Sequence, residues 1–277
     1  MQSPSTDRSP LRLGVSAFIA GHWLTPDEVA VLDRSPAVSL EMAAPWFWDV
    51  PPAEVRATVE ALRGSTLELW SVHAPFGKDL DLSSLDDEVQ QATLQAIKEA
   101  FGFAAELGCQ MVVVHPSAEP IPSEERPTRL ARSREGLAEL ARATSASGPR
   151  MAIEPLPRSC LGNSLAEMEL LLEDLSEDRA GICLDVNHAN VGQDLGTFIA
   201  RLGSRIWTLH ISDNDGVDEK HWLPGEGVID WRALLHDLRQ ANYSGPFLYE
   251  VSRGDKGLAE RLADFGENYT HLMTEMR

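Results

Sequence analysis

Disulfide chemistry and membrane insertion are the first possibilities this sequence removes by what it lacks, and phosphate-backbone binding is disfavoured on the same ground. Its three cysteines, Cys109, Cys160 and Cys183, stand at long spacings with no C-x-x-C pair. Neither a disulfide framework nor a thiolate zinc cluster is therefore expected. No apolar run approaches the roughly 18 residues of a membrane span, and MQSPSTDRSP at the start carries no apolar leader core. Residues 1–10 are read as a disordered tail, residues 11–277 as one domain, and the protein as soluble and cytoplasmic, with no membrane partner. Basic charge is scarce, with 24 Lys and Arg against 43 Asp and Glu, a formal net charge of −19. Such a surface repels nucleic-acid phosphates, which counts against a nucleic-acid partner. Also missing is a G-x-G-x-x-G after the first strand candidate, where the chain reads GVSAFIAG, and any linker long enough to divide the 277 residues.

What is present is a repeat of short apolar runs. LRLGVSAF, VSLEMA, TLELWSVHA, QMVVVHP, RMAIEPL, GICLDVNHA, RIWTLHIS and PFLYEVS are eight strand candidates. Amphipathic stretches of helical period lie between most of them. EVQQATLQAIKEAFGFAAELG and RLARSREGLAELARATSASG both end in glycine, and Thr25 with Glu28 and Ser164 with Glu167 read as capping boxes. Eight βα units in about 250 residues predict an α/β fold, a single-domain (β/α)8 TIM barrel. The stretch from Val31 to Val50 is the least regular.

Active sites of such barrels are built at the C-terminal strand ends. Six consecutive strands here end in His73, His115, Glu154, Asp185, His210 and Glu250. Two residues earlier, Ser71, Val113, Ala152, Cys183, Thr208 and Leu248 also point inward by alternation and are small or apolar. A lone histidine or carboxylate at a strand end is usually a hydrogen-bonded loop residue. Three carboxylates forced into one apolar-walled mouth, however, repel each other unless protons or a cation compensate. Glu154, Asp185, His210 and Glu250 are therefore the candidate ligands of one divalent cation. His188, three residues after Asp185, is a second ligand or a donor to substrate hydroxyls. His73, His115 and His221 are candidate substrate contacts at the same mouth. So are Glu41, in the second strand, and Trp46, whose group Trp46-Phe47-Trp48 either packs the rim or walls the pocket. Asp213, Asn214 and Asp215 read as loop-capping turn residues, Asn187 and Asn190 as loop anchors, His236 as a helix-face residue, and Asp230 as an N-cap.

The HAP at His73, HP at His115, IEP at Glu154, D-x-x-H from Asp185, H-x-x-D from His210, PGEG turn and YE at Glu250 resemble the xylose-isomerase-like TIM-barrel superfamily. The resemblance runs from Leu11 onward. It includes sugar and sugar-phosphate isomerases and epimerases, and for these it implies a small sugar-like substrate and one cation, commonly Mn2+, on Glu154, Asp185, His210 and Glu250. It further implies that Glu154 and Glu250 pass a proton through an enediolate while His188 orients the substrate oxygens. The oxygen-rich donors suit Mn2+, Mg2+ or Co2+ better than a structural Zn2+. Two other branches stay open. An endonuclease-IV-type zinc phosphodiesterase would use three zinc ions, with Glu219 standing where that branch has an aspartate. A dehydroshikimate-dehydratase-like lyase would use similar ligands for elimination. Lys220 is the one basic residue of HISDNDGVDEK, where epimerases often place an arginine, and Lys78 alone follows HAPF. Homo-oligomerisation is left open.

Overall fold

The structure, a computed structural model, describes residues 11–275 apart from 78, 145, 146 and 253. The tail expected at residues 1–10 and Lys78 thus lie outside the described residues. Every apolar run forms a strand: β1 (Leu13–Ser16), β2 (Ser39–Ala43), β3 (Glu68–His73), β4 (Met111–Val114), β5 (Arg150–Ile153), β6 (Ala180–Asp185), β7 (Ile206–His210) and β8 (Phe247–Tyr249). They are short and almost wholly buried because helices cover one face and the barrel interior the other, which is why they read as continuous apolar runs. The helices are α1 (Pro26–Asp33), α2 (Pro52–Arg63), α3 (Asp87–Leu107), α4 (Arg126–Ala143), α5 (Leu165–Leu172), α6 (Val186–Gly192), α7 (Leu195–Leu202), α8 (Trp231–Gln240) and α9 (Leu258–Glu275). All ladders are parallel, in the order β7-β6-β5-β4-β3-β2-β1-β8. The ring closes where Ile211 bridges Tyr249. The molecule is a single-domain (β/α)8 barrel. Among the described residues, no helix is long and apolar enough to cross a membrane.

Helix ends follow the local chemistry, with two corrections. Thr25 and Glu28 form the full capping box of α1, and Gly108 ends α3 in the left-handed region at φ 73°. Ser164 accepts from Glu167 N–H, but the Glu167 carboxylate turns instead to Arg126 and Gly162 N–H, so only half of that box forms. A charge-assisted bond to a guanidinium outcompetes a neutral cap. The second correction is at α4, which ends at Ala143 with Thr144 as cap, before the glycine of its expected stop. Serine and threonine next to the backbone offer it bonds outside the helix.

Inside the barrel, Met111, Val113, Ala152, Cys183 and Leu248 pack with Trp70 as a small buried cluster, apart from the larger apolar layer under the helices. Trp70 stands where the β2–β3 register jumps from Leu40–Leu69 to Glu41–Ser71, and this irregularity lets its indole turn inward. Its Nε1 donates to Thr208 Oγ1 across the barrel at 3.1 Å. Gly181 is required by the same packing, because a Cβ there would lie 2.3 Å from the Trp207 ring. The floor is a plug, which leaves the opposite mouth as the place for chemistry.

Candidate active site

The mouth holds a cavity of about 440 Å3. Phe18, Phe76, Leu156, Pro157 and Val251 form apolar wall, while His73, His115, Glu154, His188, Glu219, His221 and Glu250 supply the reactive edge. Strand ends put them there: His73 is the last residue of β3, and His115, Glu154 and Glu250 directly follow β4, β5 and β8. Phe76 stacks on His115 with ring centroids 4.2 Å apart, fixing the imidazole against the wall.

Glu154 is the hub. Its Oε2 receives His73 Nε2 at 3.2 Å and His115 Nε2 at 3.1 Å. Its Oε1 lies 3.1 Å from His188 Nδ1 and 3.4 Å from His210 Nδ1, which is also 3.3 Å from Glu250 Oε2. On this second side three buried atoms, Asp185 Oδ2, His188 Nδ1 and His210 Nδ1, make no well-directed hydrogen bond among the described residues, although both ring nitrogens lie at ion-pair distance from carboxylates. Leaving such groups bare costs about 1–3 kcal/mol each, so their convergence calls for a ligand. One donor atom from each of Glu154, Asp185, His210 and Glu250 falls within 4.8 Å of the others, a spacing that suits one cation. His210 is aimed by its other nitrogen, which donates to Glu41 Oε1 at 3.0 Å, the usual carboxylate support behind a metal-binding imidazole. Asp185 is held by accepting from His188 N–H with Oδ1, which frees Oδ2 for the centre. The residues present fit a divalent cation.

Of three further donor groups, one, Glu154 with Cys183 and His210, overlaps this one, and two adjoin it, His73 with His115 and Glu154, and His188 with Glu219 and His221. His221 has φ 50°, a left-handed backbone unusual for a side chain of this size, and its Nδ1 donates to Glu250 O at 3.1 Å.

The electrostatics separate the two glutamates. Burial opposes the charge of Glu154, but His210, His115 and His188 hold its carboxyl well below the usual range. Burial raises Glu250, and its neighbours Glu154 and Asp185 add to the shift against the pull of His210 and His221. Burial also disfavours charge on His188 and His210, yet the surrounding carboxylates, and for His210 first the Cys183 sulfur, raise both well above the ordinary imidazole value. Glu219 is lowered to about 2, chiefly by His188, with Arg158 assisting.

Two expected substrate contacts are misplaced. Glu41 is fully buried and does not line the cavity; its oxygens accept from His210 Nε2 and Ser71 Oγ. The register explains this, since Glu41 pairs with Ser71 in the layer below, whereas Ala43 is level with His73. Trp46 faces outward, 46% exposed, with its ring edge on Phe103 of α3. Residues 45–47 form a 3-10 turn, in which successive side chains diverge by about 120°. Phe47 and Trp48 back the wall instead, packing on Phe18. Asp213 anchors its loop, accepting from Gly225 N–H, Ile229 N–H and Trp231 Nε1. Gly227 lets the PGEG turn close on it, for a Cβ there would meet Asn214 O at 2.1 Å. Asn187 and Asn190 tie to Ser212 and Asn214, and His236 is exposed on α8 behind the N-cap Asp230. Sequence reasoning missed Phe18, Phe76 and Arg158. The IEPLPR run, with proline on either side of Leu156, marks the loop after β5 but not the remote partners that hold Arg158 there.

Relatives bear on these observations. Fructoselysine 3-epimerase of Shigella flexneri is 27% identical over 168 residues, 58% of this chain and 59% of the epimerase. An uncharacterized protein of Methanocaldococcus jannaschii is 31% identical over 180 residues, 63% of this chain and 61% of that protein. The match thus spans under two thirds of either relative. The crystal structure of a D-tagatose 3-epimerase-like protein superposes with TM-score 0.81 at 25% identity, covering 96% of this chain and 99% of that one. A family model described as the xylose isomerase-like TIM barrel matches residues 36–270. A closed parallel barrel with its donors gathered at the strand ends, matched over most of its length, makes this chain a member of the xylose isomerase-like TIM-barrel family.

Proposed function

We propose that the protein is a divalent-metal-dependent epimerase or isomerase of a sugar or sugar phosphate. The observation that carries this is the convergence of Glu154, Asp185, His210 and Glu250 around buried atoms, Asp185 Oδ2 and His210 Nδ1, that make no directed hydrogen bond among the described residues. The epimerase relatives support the reaction class. These four residues would hold the cation, with manganese first given the oxygen-rich donors. Bound there, a cation supplies Lewis acidity that polarises a carbonyl and its neighbouring hydroxyl and acidifies the C–H between them. The chain supplies the rest. Glu154, held ionised, is the base, and Glu250, which keeps its proton more tightly, returns it to the enediolate. His188, His73, His115 and His221 face the substrate oxygens, and Phe18 and Phe76 exclude water from the apolar side. The three buried unpaired cysteines suit a reducing cytoplasm.

The test is exchange of a substrate C–H proton with D2O across a panel of free and phosphorylated ketoses, on manganese-loaded protein. Exchange that disappears in Glu154→Gln and in Glu250→Gln is expected; no exchange with any member of the panel would overturn the proposal.

A second reading rests on the two further donor groups, which with the first offer places for three ions, two of those places sharing Glu154. That arrangement suits a zinc phosphodiesterase acting on abasic DNA, with clustered cations polarising the phosphate. The net charge of −19 opposes it. Elemental mass spectrometry showing two to three zinc per chain, with abasic-duplex cleavage lost in His73→Ala, would put it first.

A further inference from the structure

Arg158 reaches over the cavity from the loop after β5 and lines its wall. Its guanidinium meets three carboxylates from two other loops. Nε and Nη2 donate to Glu119, after β4, while Nη1 donates to Asp218 Oδ1 at 2.9 Å and lies 3.0 Å from Glu219 Oε1, both after β7. Glu219 then uses its other oxygen, Oε2, to hold His188 Nε2 at 3.0 Å. The position is built for this. Arg158 sits in the left-handed region at φ 53°, and Asn163 Nδ2 donates to its carbonyl. Strained backbone of this kind persists only where surrounding contacts enforce it. From below, Arg126 clamps the same loop by donating to Ser159 O at 2.8 Å and Cys160 O at 2.9 Å.

Stability alone is a poor reason for such an arrangement. Arg158 is 37% exposed and its partners Glu119, Asp218 and Glu219 are 36%, 47% and 26% exposed. Ion pairs this open contribute about 0–1 kcal/mol. What the fork does supply is direction, since a planar guanidinium fixes several carboxylates at once where an ammonium cannot.

We propose that Arg158 is a positioning residue that acts through Glu219 to fix the ring of His188 at the cavity wall. His188 is thereby held at both ends, its backbone N–H on Asp185 Oδ1 and its Nε2 on Glu219, with Nδ1 directed at the centre. The kinetic consequence rests on the function proposed above; the ring geometry does not.

The experiment is nitrogen NMR of histidine-labelled, full-length protein loaded with magnesium, following the His188 ring signals in the parent, Arg158→Gln, Glu219→Gln and the double variant. Arg158→Gln is expected to move the His188 Nε2 signal in the same direction as Glu219→Gln, and the double variant to move it no further than Glu219→Gln alone. Melting temperature should change little, and Arg158→Lys should restore the signal only in part. A His188 signal unmoved by Arg158→Gln, or shifts that add in the double variant, would overturn the proposal. If a ketose exchanges its proton, Arg158→Gln should raise KM about tenfold, the size of effect typical of residues supporting a site from behind. If none does, the sugar assignment fails and the ring signals still decide the role of Arg158.

Discussion

The floor and the mouth of the barrel are built by the same strands on the same inward faces, two residues apart. Val113, Ala152, Cys183 and Leu248 lie in one layer; His115, Glu154, Asp185 and Glu250 lie in the next. Burial overlaps between them, since Cys183 and Asp185 are each 0% exposed and Ala152 and Glu154 are 0% and 1%, while His115 and Glu250 open to 15% and 14%. The difference is satisfaction. On the floor the polar groups are paired, Trp70 with Thr208 and Ser71 with Glu41. At the mouth, Asp185 Oδ2, His188 Nδ1 and His210 Nδ1 are buried without a directed hydrogen bond among the described residues. Depth therefore does not separate core from site; unfinished hydrogen bonding does. A fold that stores like charges at one end must gain its stability at the other.

That contrast can be broken by substitution. At the mouth, Glu154→Gln should lower proton exchange by about 10²- to 10⁴-fold, the range for removing a general base. Melting of the metal-free protein should hardly change, and a collapse of stability would show that the mouth is also core. On the floor the reverse is expected: Trp70→Ala should cost about 3–5 kcal/mol in urea unfolding, as for a buried aromatic truncated to a cavity, with kcat of the folded fraction kept. A large fall in kcat would join the two layers functionally. Glu41 lies between them, level with Ser71 yet bonded to His210. Glu41→Gln should weaken cation binding by about 10- to 100-fold in calorimetry while leaving the barrel folded.

The smallest effect concerns protons. In the metal-free protein His188 and His210 hold protons above the ordinary imidazole value, because carboxylates surround them. A cation on His210 must displace the proton of that ring, so affinity should rise with pH, by about tenfold per unit for each proton released. Calorimetry in buffers of different ionisation enthalpy counts them. Affinity independent of pH would show that the rings are already neutral and that the mouth is less frustrated than its geometry indicates.

Much of this was legible in advance because barrel strands are buried on both faces and their inward residues alternate. Local composition alone was enough to find all eight strands and the six strand-end residues from His73 to Glu250. Asp213 was read correctly as a loop residue from its turn chemistry. Glu41 and Trp46 failed for separate reasons. One depended on a register shift between β2 and β3, the other on a 3-10 turn that rotates Trp46 away from Phe47 and Trp48. Arg158 was missed because its partners lie 39 to 61 residues away on other loops, and no local pattern announces them.

The sequence by itself determined the barrel, the layer of donors at its mouth and the chemical class of those donors, since periodicity and residue type act locally. Only the tertiary structure decided which atoms meet. Shear between strands set Glu41 behind His210, loop backbone brought Arg158 to the Glu219 that holds His188, and closure of the ring left three buried polar atoms facing one point. Those are distances between residues remote in the chain, and a linear pattern does not contain them.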